Sequence, residues 1–235
     1  MKFLSFESDV SLGESASDFI AKEIARHDSF ALCAATGGTP TITYLELVKK
    51  KSDFEHVRLT LVKLDEWGGI APEHVSTCES YLQKHLLKPL SFNPEHYISF
   101  RSDASDPDAE CRRVQESLHG LGKINLCILG LGMNGHIAFN EPADYLQPGC
   151  HVARLSESSQ QHPMAVQRSM PGTFGFTLGM ADILQSDTIL FLVSGPKKKE
   201  IFKEFMNRII TTRLPASFLW LHPNVFCYHT TDSLY

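Results

Sequence analysis

Long apolar runs are missing from this 235-residue chain: none approaches the roughly 18 residues that a membrane-spanning helix needs. The amino terminus, MKFLSFESDV, lacks an apolar core of signal-peptide length, so the expectation is a cytoplasmic protein with no membrane partner. Basic residues are not in excess. Lysine and arginine number 22 against 27 acids, and the formal charge is −5 with the two signs interspersed, which argues against a nucleic-acid partner. The six cysteines form no CxxC pair, and Cys33, Cys127 and Cys227 lie in apolar runs, so they read as reduced, buried thiols. The histidines outside the motifs below (His27, His56, His74, His85, His96 and His119 among them) fall on polar segments without ligand spacing. No metal and no cofactor is therefore expected. A serine nucleophile elbow, a GxGxxG turn and the kinase motifs are all absent. So are repeats, low-complexity linkers and breaks in composition, and residues 1–235 read as one domain.

What is present is alternation. Ser15 to His27 places Ala16, Phe19, Ile20 and Ile24 at helical spacing. The apolar run Phe30 to Ala35 ends in Thr36-Gly37-Gly38-Thr39-Pro40, and a helix is expected from Thr41 to Lys50 with Thr39 as its cap. Val57 to Leu64 reads as a strand ending in Asp65-Glu66. A helix follows over Ser76 to Leu87, with Ser76 and Glu79 as a capping box. Then come a polar helix (Asp106 to Leu118), a strand (Ile124 to Leu129), a strand (Thr188 to Val193) leading through Ser194-Gly195-Pro196 into a lysine-led helix, and a last strand (Val225 to Tyr228). Such β-α alternation predicts an α/β fold: one Rossmann-like domain, its sheet mainly parallel, with helices on both faces. The polar stretch Ser156 to Thr173 reads as a long loop or lid, or as a surface helix.

In a parallel sheet the carboxyl ends of the strands share one edge, where ligands bind. Four such ends carry chemistry here. Thr36-Gly37-Gly38-Thr39 ahead of a helix offers backbone N–H groups and hydroxyls to an anion, although a plain β-α turn has the same look. Lys198, after another strand, would add a positive charge to the same anion, or would be solvated like its lysine neighbours. Asp65 follows apolar Leu64, and partial desolvation there would raise its pKa and make it a better base. Glu66 would point the other way. The run LCILGLGMNGHIAFNEP, Leu126 to Pro142, ends a buried strand in a glycine loop bearing His136 and Glu141, a proton-transfer candidate with a carboxylate to hold its tautomer.

These pieces, ATGGTP (Ala35 to Pro40), LDEW (Leu64 to Trp67), GLGMNGHIAFNEP (Gly130 to Pro142) and SGPKK (Ser194 to Lys198), resemble the glucosamine-6-phosphate deaminase and 6-phosphogluconolactonase superfamily and occur in its order. FNEP looks like the amino-sugar branch; TLVKLDEW, STCESYLQKHL and PASFLWLH look most like bacterial galactosamine-6-phosphate deaminase/isomerases. The resemblance implies conversion of a 2-amino-2-deoxyhexose 6-phosphate to a ketohexose 6-phosphate and ammonia, without a metal. By it, His136 would open the pyranose, Asp65 would shuttle a proton between C2 and C1, Glu141 would orient His136, and Gly37 to Thr39 with Lys198 would hold the phosphate. A homo-oligomer stays open. Two departures stand out. Asn134 occupies the position where the deaminases usually carry an aspartate. It can hydrogen-bond but adds no negative charge, so ring opening is expected to be weaker or to differ in pH optimum. The phosphate-binding lid arginine has no clean counterpart, and Arg168 is the candidate. A 6-phosphogluconolactonase-type hydrolase and a non-catalytic sugar-phosphate sensor are the alternative readings.

Overall fold

The structure, a computed structural model, describes residues 1–160 and 174–234. Its main sheet has seven strands: β1 (Lys2–Phe6), β2 (Ser29–Ala34), β3 (Arg58–Lys63), β5 (Tyr97–Ile98), β6 (Leu126–Gly130), β9 (Thr188–Val193) and β10 (Val225–Thr230). They lie in the order β1-β10-β9-β6-β2-β3-β5, and every pairing is parallel. All six residues of β9 are buried, and β6 is buried up to its final glycine. A strand buried on alternate side chains of both directions must be covered on both faces, which is what the βαβ connections supply. No helix among the described residues is long and apolar enough to cross a membrane.

From β2 the chain builds outward through β3 to β5, and from β6 it builds the opposite way through β9 to β10. The direction reverses between β2 and β6, which makes their carboxyl ends the switch point where an open α/β sheet leaves a crevice. A second, antiparallel sheet in the order β4-β8-β7 stands beside this edge: β4 (Asp65–Trp67), β8 (Phe174–Thr177) and β7 (His151–Arg154). Its register sets Asp65 opposite Thr177, and the Trp67 ring packs on Phe139 with centroids 4.6 Å apart. Leu64 is therefore a hinge between two sheets, and Asp65 opens a new strand rather than closing β3.

Local chemistry moves several element boundaries from those expected. Helix α1 (Asp9–Ile24) starts six residues before the expected Ser15 because Ser8 and Ser11 form a reciprocal capping box. Helix α2 (Thr39–Lys49) is preceded by Gly38, so Thr39 is its first residue and not its cap. Helix α3 (Cys78–Leu82), which runs on through a π turn at Gln83–Leu87 to Lys88–Leu90, is capped by Thr77, whose hydroxyl accepts from Ser80 N at 2.9 Å. The expected Ser76–Glu79 box does not form: Ser76 is buried one position too early, and the Glu79 carboxylate is drawn to Lys63 instead. Strand β1 was not read from the sequence; it pairs only at the edge, on β10. Within the stretch Ser156 to Thr173, residues Glu157–Gln160 form one helical turn. Residues 161–173, Arg168 among them, lie outside the described residues.

Candidate active site

The loop after β2 is built to be open. Gly37 has φ +113°, a conformation that side chains resist, and Cβ atoms added at Gly37 or Gly38 would meet nothing within 4 Å. Beneath it the backbone is fixed: Thr41 Oγ1 donates to Gly37 O at 2.9 Å, and the buried Tyr44 hydroxyl donates to Ala35 O at 2.7 Å. Gly38 supplies no side chain to cap α2; Pro40 has no N–H and Thr41 N donates to Gly38 O at 3.3 Å, so the N–H groups this helix start can offer are those ahead of Pro40. Lys198 reaches the same space from the turn Pro196–Lys198, which begins at Gly195 with φ +87°. Burial pushes its ammonium down to about 8.

Across the opening, Asp65 is held in a buried setting that disfavours its ionised form. Desolvation chiefly, and the neighbouring Glu66 charge next, push its carboxyl up to about 7, against smaller opposing pulls from the Cys78 thiol and Lys63. The thiol contacts Asp65 Oδ1 at 3.7 Å and accepts from Thr36 Oγ1 at 3.2 Å. Glu66 does point away, as strand geometry predicts. One of its oxygens accepts from Trp67 N (2.8 Å) and Cys78 N (2.9 Å), the other from Glu79 N and the Lys63 ammonium (both 2.8 Å). Lys63, 1% exposed, also binds Glu79 Oε2 at 2.9 Å. This buried ion cluster ties the start of α3 to β3 and β4, and so sets where Cys78 meets Asp65.

The loop after β6 places the histidine. A Cβ on Gly132 would lie 2.3–2.5 Å from three atoms of the His136 ring, so glycine is what lets the imidazole fold back over the turn. Gly135 has φ +84°, and Gly132 N donates to His136 O at 3.0 Å. His136 Nδ1 lies 3.4 Å from Glu141 Oε2 and 3.3 Å from Ser159 Oγ. Asn134 Oδ1 accepts from His136 N at 3.2 Å, and its Nδ2 donates to Glu141 Oε2 at 2.8 Å and to Ser156 Oγ at 3.2 Å. Ser159 Oγ donates to Glu141 Oε1. Burial alone would raise the Glu141 carboxyl; the His136 ring, with the Ser159 and Asn134 donors, outweighs it and holds the group at about 2. Glu141 is thus an anion at any working pH.

Asp65, His136, Thr36, Gly37, Gly38, Thr39 and Lys198 line one cavity of about 160 Å³, with Cys78, Ser159 and Trp67 between them. Glu141 and Asn134 stand behind His136 and reach the cavity through it. The expected convergence of four strand ends therefore holds, with Arg168 outside the described residues. Sequence reading passed over Lys63, Cys78, Glu79, Ser156 and Ser159. A lysine inside the otherwise apolar strand TLVKL was a usable signal for a buried ion pair. The serines gave none, since SESS reads as any polar loop.

A cavity at a sheet switch point, lined by an open glycine turn at a helix start, a lysine, a buried carboxylate of raised pKa and a carboxylate-held imidazole, has the make-up of an enzyme site for acid–base chemistry. The chain belongs to the family described as glucosamine-6-phosphate isomerases/6-phosphogluconolactonase, whose model matches residues 9–226. It is similar to an Escherichia coli (strain K12) protein provisionally named as a deaminase, AgaI, with 40% identity over 96% of this chain and 90% of that protein. It is also similar to the glucosamine-6-phosphate deaminase of Bacillus pumilus (strain SAFR-032), 34% identical over 96% of this chain and 95% of the other. A solved structure described as a monomeric glucosamine-6-phosphate deaminase superposes with a TM-score of 0.94 at 29% identity, covering 99% of this chain and 98% of its own.

Proposed function

We propose that this protein is an amino-sugar phosphate isomerase/deaminase. It converts galactosamine 6-phosphate or glucosamine 6-phosphate, with water, to the corresponding ketohexose 6-phosphate and ammonia. The observation that carries the reading is the shared cavity: a buried carboxylate tuned to about 7 and a carboxylate-held histidine face an anion cradle across about 160 Å³. The residues 36–39 and Lys198 hold the phosphate, and Arg168 is a further candidate for it. His136 takes the C1 hydroxyl proton and returns a proton to the ring oxygen, so the C1–O5 bond breaks and the aldehyde forms. Asp65 then removes the proton at C2 while the C1 oxygen takes a proton from water, which gives an enolamine, and Asp65 delivers its proton to C1. The nitrogen lone pair completes an iminium at C2, which takes up water, releases ammonia and returns one proton to solvent. A base near pH 7 suits that step, since it is ionised in good part at neutral pH yet basic enough to accept the proton. Glu141 and Asn134 orient His136. The whole chain, residues 1–235, acts as one domain. A cytoplasmic location is supported by six unpaired cysteines, five of them buried.

The test is ammonia release from both epimers across about pH 6 to 9, the range that brackets a base of this kind. Release from at least one, lost in Asp65→Asn, is expected. No ammonia and no ketose at high enzyme concentration would sink the proposal, and lactone hydrolysis or tight binding without turnover would then point to one of the alternatives.

A further inference from the structure

The hydrogen bonds behind His136 run in one direction. Asn134 Nδ2 donates to Ser156 Oγ (3.2 Å), Ser156 Oγ donates to Ser159 Oγ (3.2 Å), and Ser159 Oγ donates to Glu141 Oε1; Asn134 Nδ2 also donates to Glu141 Oε2 (2.8 Å). Ser159 N donates to Ser156 Oγ at 3.2 Å and completes the pair of serines. The amide cannot be turned round, because Oδ1 is the atom that accepts from His136 N. A serine hydroxyl has one hydrogen, and that of Ser159 is committed to the carboxylate. Toward His136 Nδ1, 3.3 Å away, it offers only a lone pair, and so does the ionised Glu141 at 3.4 Å. Both neighbours of Nδ1 are acceptors. Ser159 itself is 3% exposed and lines the cavity beside His136.

Resting on the isomerase/deaminase reading, we propose that Ser159 is a positioning residue for His136: its hydroxyl bridges Glu141 and Nδ1 and fixes the tautomer in which Nδ1 carries the hydrogen and Nε2 is the free base. An imidazole in that state takes a hydroxyl proton through Nε2, which is the act that ring opening needs. The same ring gives Asn134 a role that an aspartate lacks. Position 134 must donate to Glu141, and an aspartate would set a second negative oxygen where the nitrogen now lies 2.8 Å from that carboxylate. One full charge and three neutral hydroxyl or amide groups here hold the histidine.

The tautomer is read without substrate from the imidazole nitrogen shifts of ¹⁵N-histidine-labelled protein, with the His136 signals identified by their loss in His136→Gln. The Nδ1–H form is expected in the wild type and in Ser159→Thr, and a smaller share of it in Ser159→Ala, where Glu141 is left to hold Nδ1 without the serine bridge. Ammonia release in Ser159→Ala is expected to fall about 10- to 100-fold, part of what a well-placed general base contributes, with recovery in Ser159→Thr. Binding of the open-chain 2-amino-2-deoxyhexitol 6-phosphates, which have no ring to open, is expected to stay within about threefold of wild type. Asn134→Asp is expected to lower activity. An unchanged tautomer in Ser159→Ala, an equal loss of hexitol binding, failure of Ser159→Thr to recover, or a more active Asn134→Asp each overturns the proposal. A wild type with the expected tautomer but no turnover of either sugar overturns the functional reading and leaves the role of Ser159 intact.

Discussion

Asp65 is charged at a cost. Its carboxyl is raised from an ordinary 3.8 to about 7 by desolvation first and by the Glu66 charge second. In the unfolded chain it ionises near its ordinary value, so between about pH 4 and 7 the native state holds a proton that the unfolded state has lost. This group's contribution to stability therefore falls as pH rises through that window, and is fully unfavourable above it. A shift of this size corresponds to on the order of 4 kcal/mol. Asp65→Asn removes the charge and keeps the shape. The expected outcome is a variant that melts higher than wild type at pH 8, equals it near pH 4, and releases no ammonia. Thermal unfolding at the two pH values decides it, and a variant less stable at pH 8 would contradict the buried-base assignment. For the wild type, kcat/KM is expected to decline as pH falls through about 7, because the protonated acid cannot take the C2 proton.

Helix α3 shows how an element can be legible while its purpose is hidden. Its apolar spacing was readable, but its cap was read one residue early, as a Ser76–Glu79 box, where Thr77 caps the helix by accepting from Ser80 N. The inner parallel strands β6 and β9 were readable because strands buried on both faces are unbroken apolar runs, whereas the edge strands β1 and β5, half-exposed or two residues long, were not. Strands β4, β7 and β8 were not, being three or four residues long and stabilised by partners far away in sequence. Nor was the whole knot at α3: the lysine in TLVKL signals a buried ion pair, but spacing does not say that Glu66 and Glu79 are its partners. Removing one member of such a cluster strands the others. Glu66→Ala leaves Lys63 with Glu79 and takes the carboxylate acceptor from three backbone N–H groups, at Trp67, Cys78 and Glu79. The expected cost is about 3–5 kcal/mol in urea unfolding, far more than an exposed pair such as Arg26–Glu23 would show on the same change. Comparable losses for the two pairs would mean that the cluster is not the anchor of α3.

Across the whole molecule, the site is a product of strand order. Residues 36–39, 65, 136 and 198 are spread over most of the chain; the parallel sheet brings the ends of β2, β3, β6 and β9 to one edge, and Asp65 opens β4 directly beyond β3. That convergence could be read from sequence because βαβ units are nearly always wound the same way. The cover could not, because it comes from the small sheet and from the serine turn at Glu157–Gln160. Lys198 is the contribution most dependent on the global fold. It enters from the end of β9, half-buried, and burial has brought its ammonium down to about 8. A bound anion favours the charged form of such a lysine, so phosphate affinity should weaken as pH rises through about 8 and the ammonium is lost. Lys198→Met should raise KM by about tenfold or more while changing kcat by less than about threefold, the signature of lost uniform binding. In that variant the rise of KM above pH 8 should vanish, because the group that titrates is gone. Steady-state kinetics from pH 7 to 9.5 on both proteins measures it. A variant whose KM still climbs as the wild type's does would place the phosphate away from Lys198.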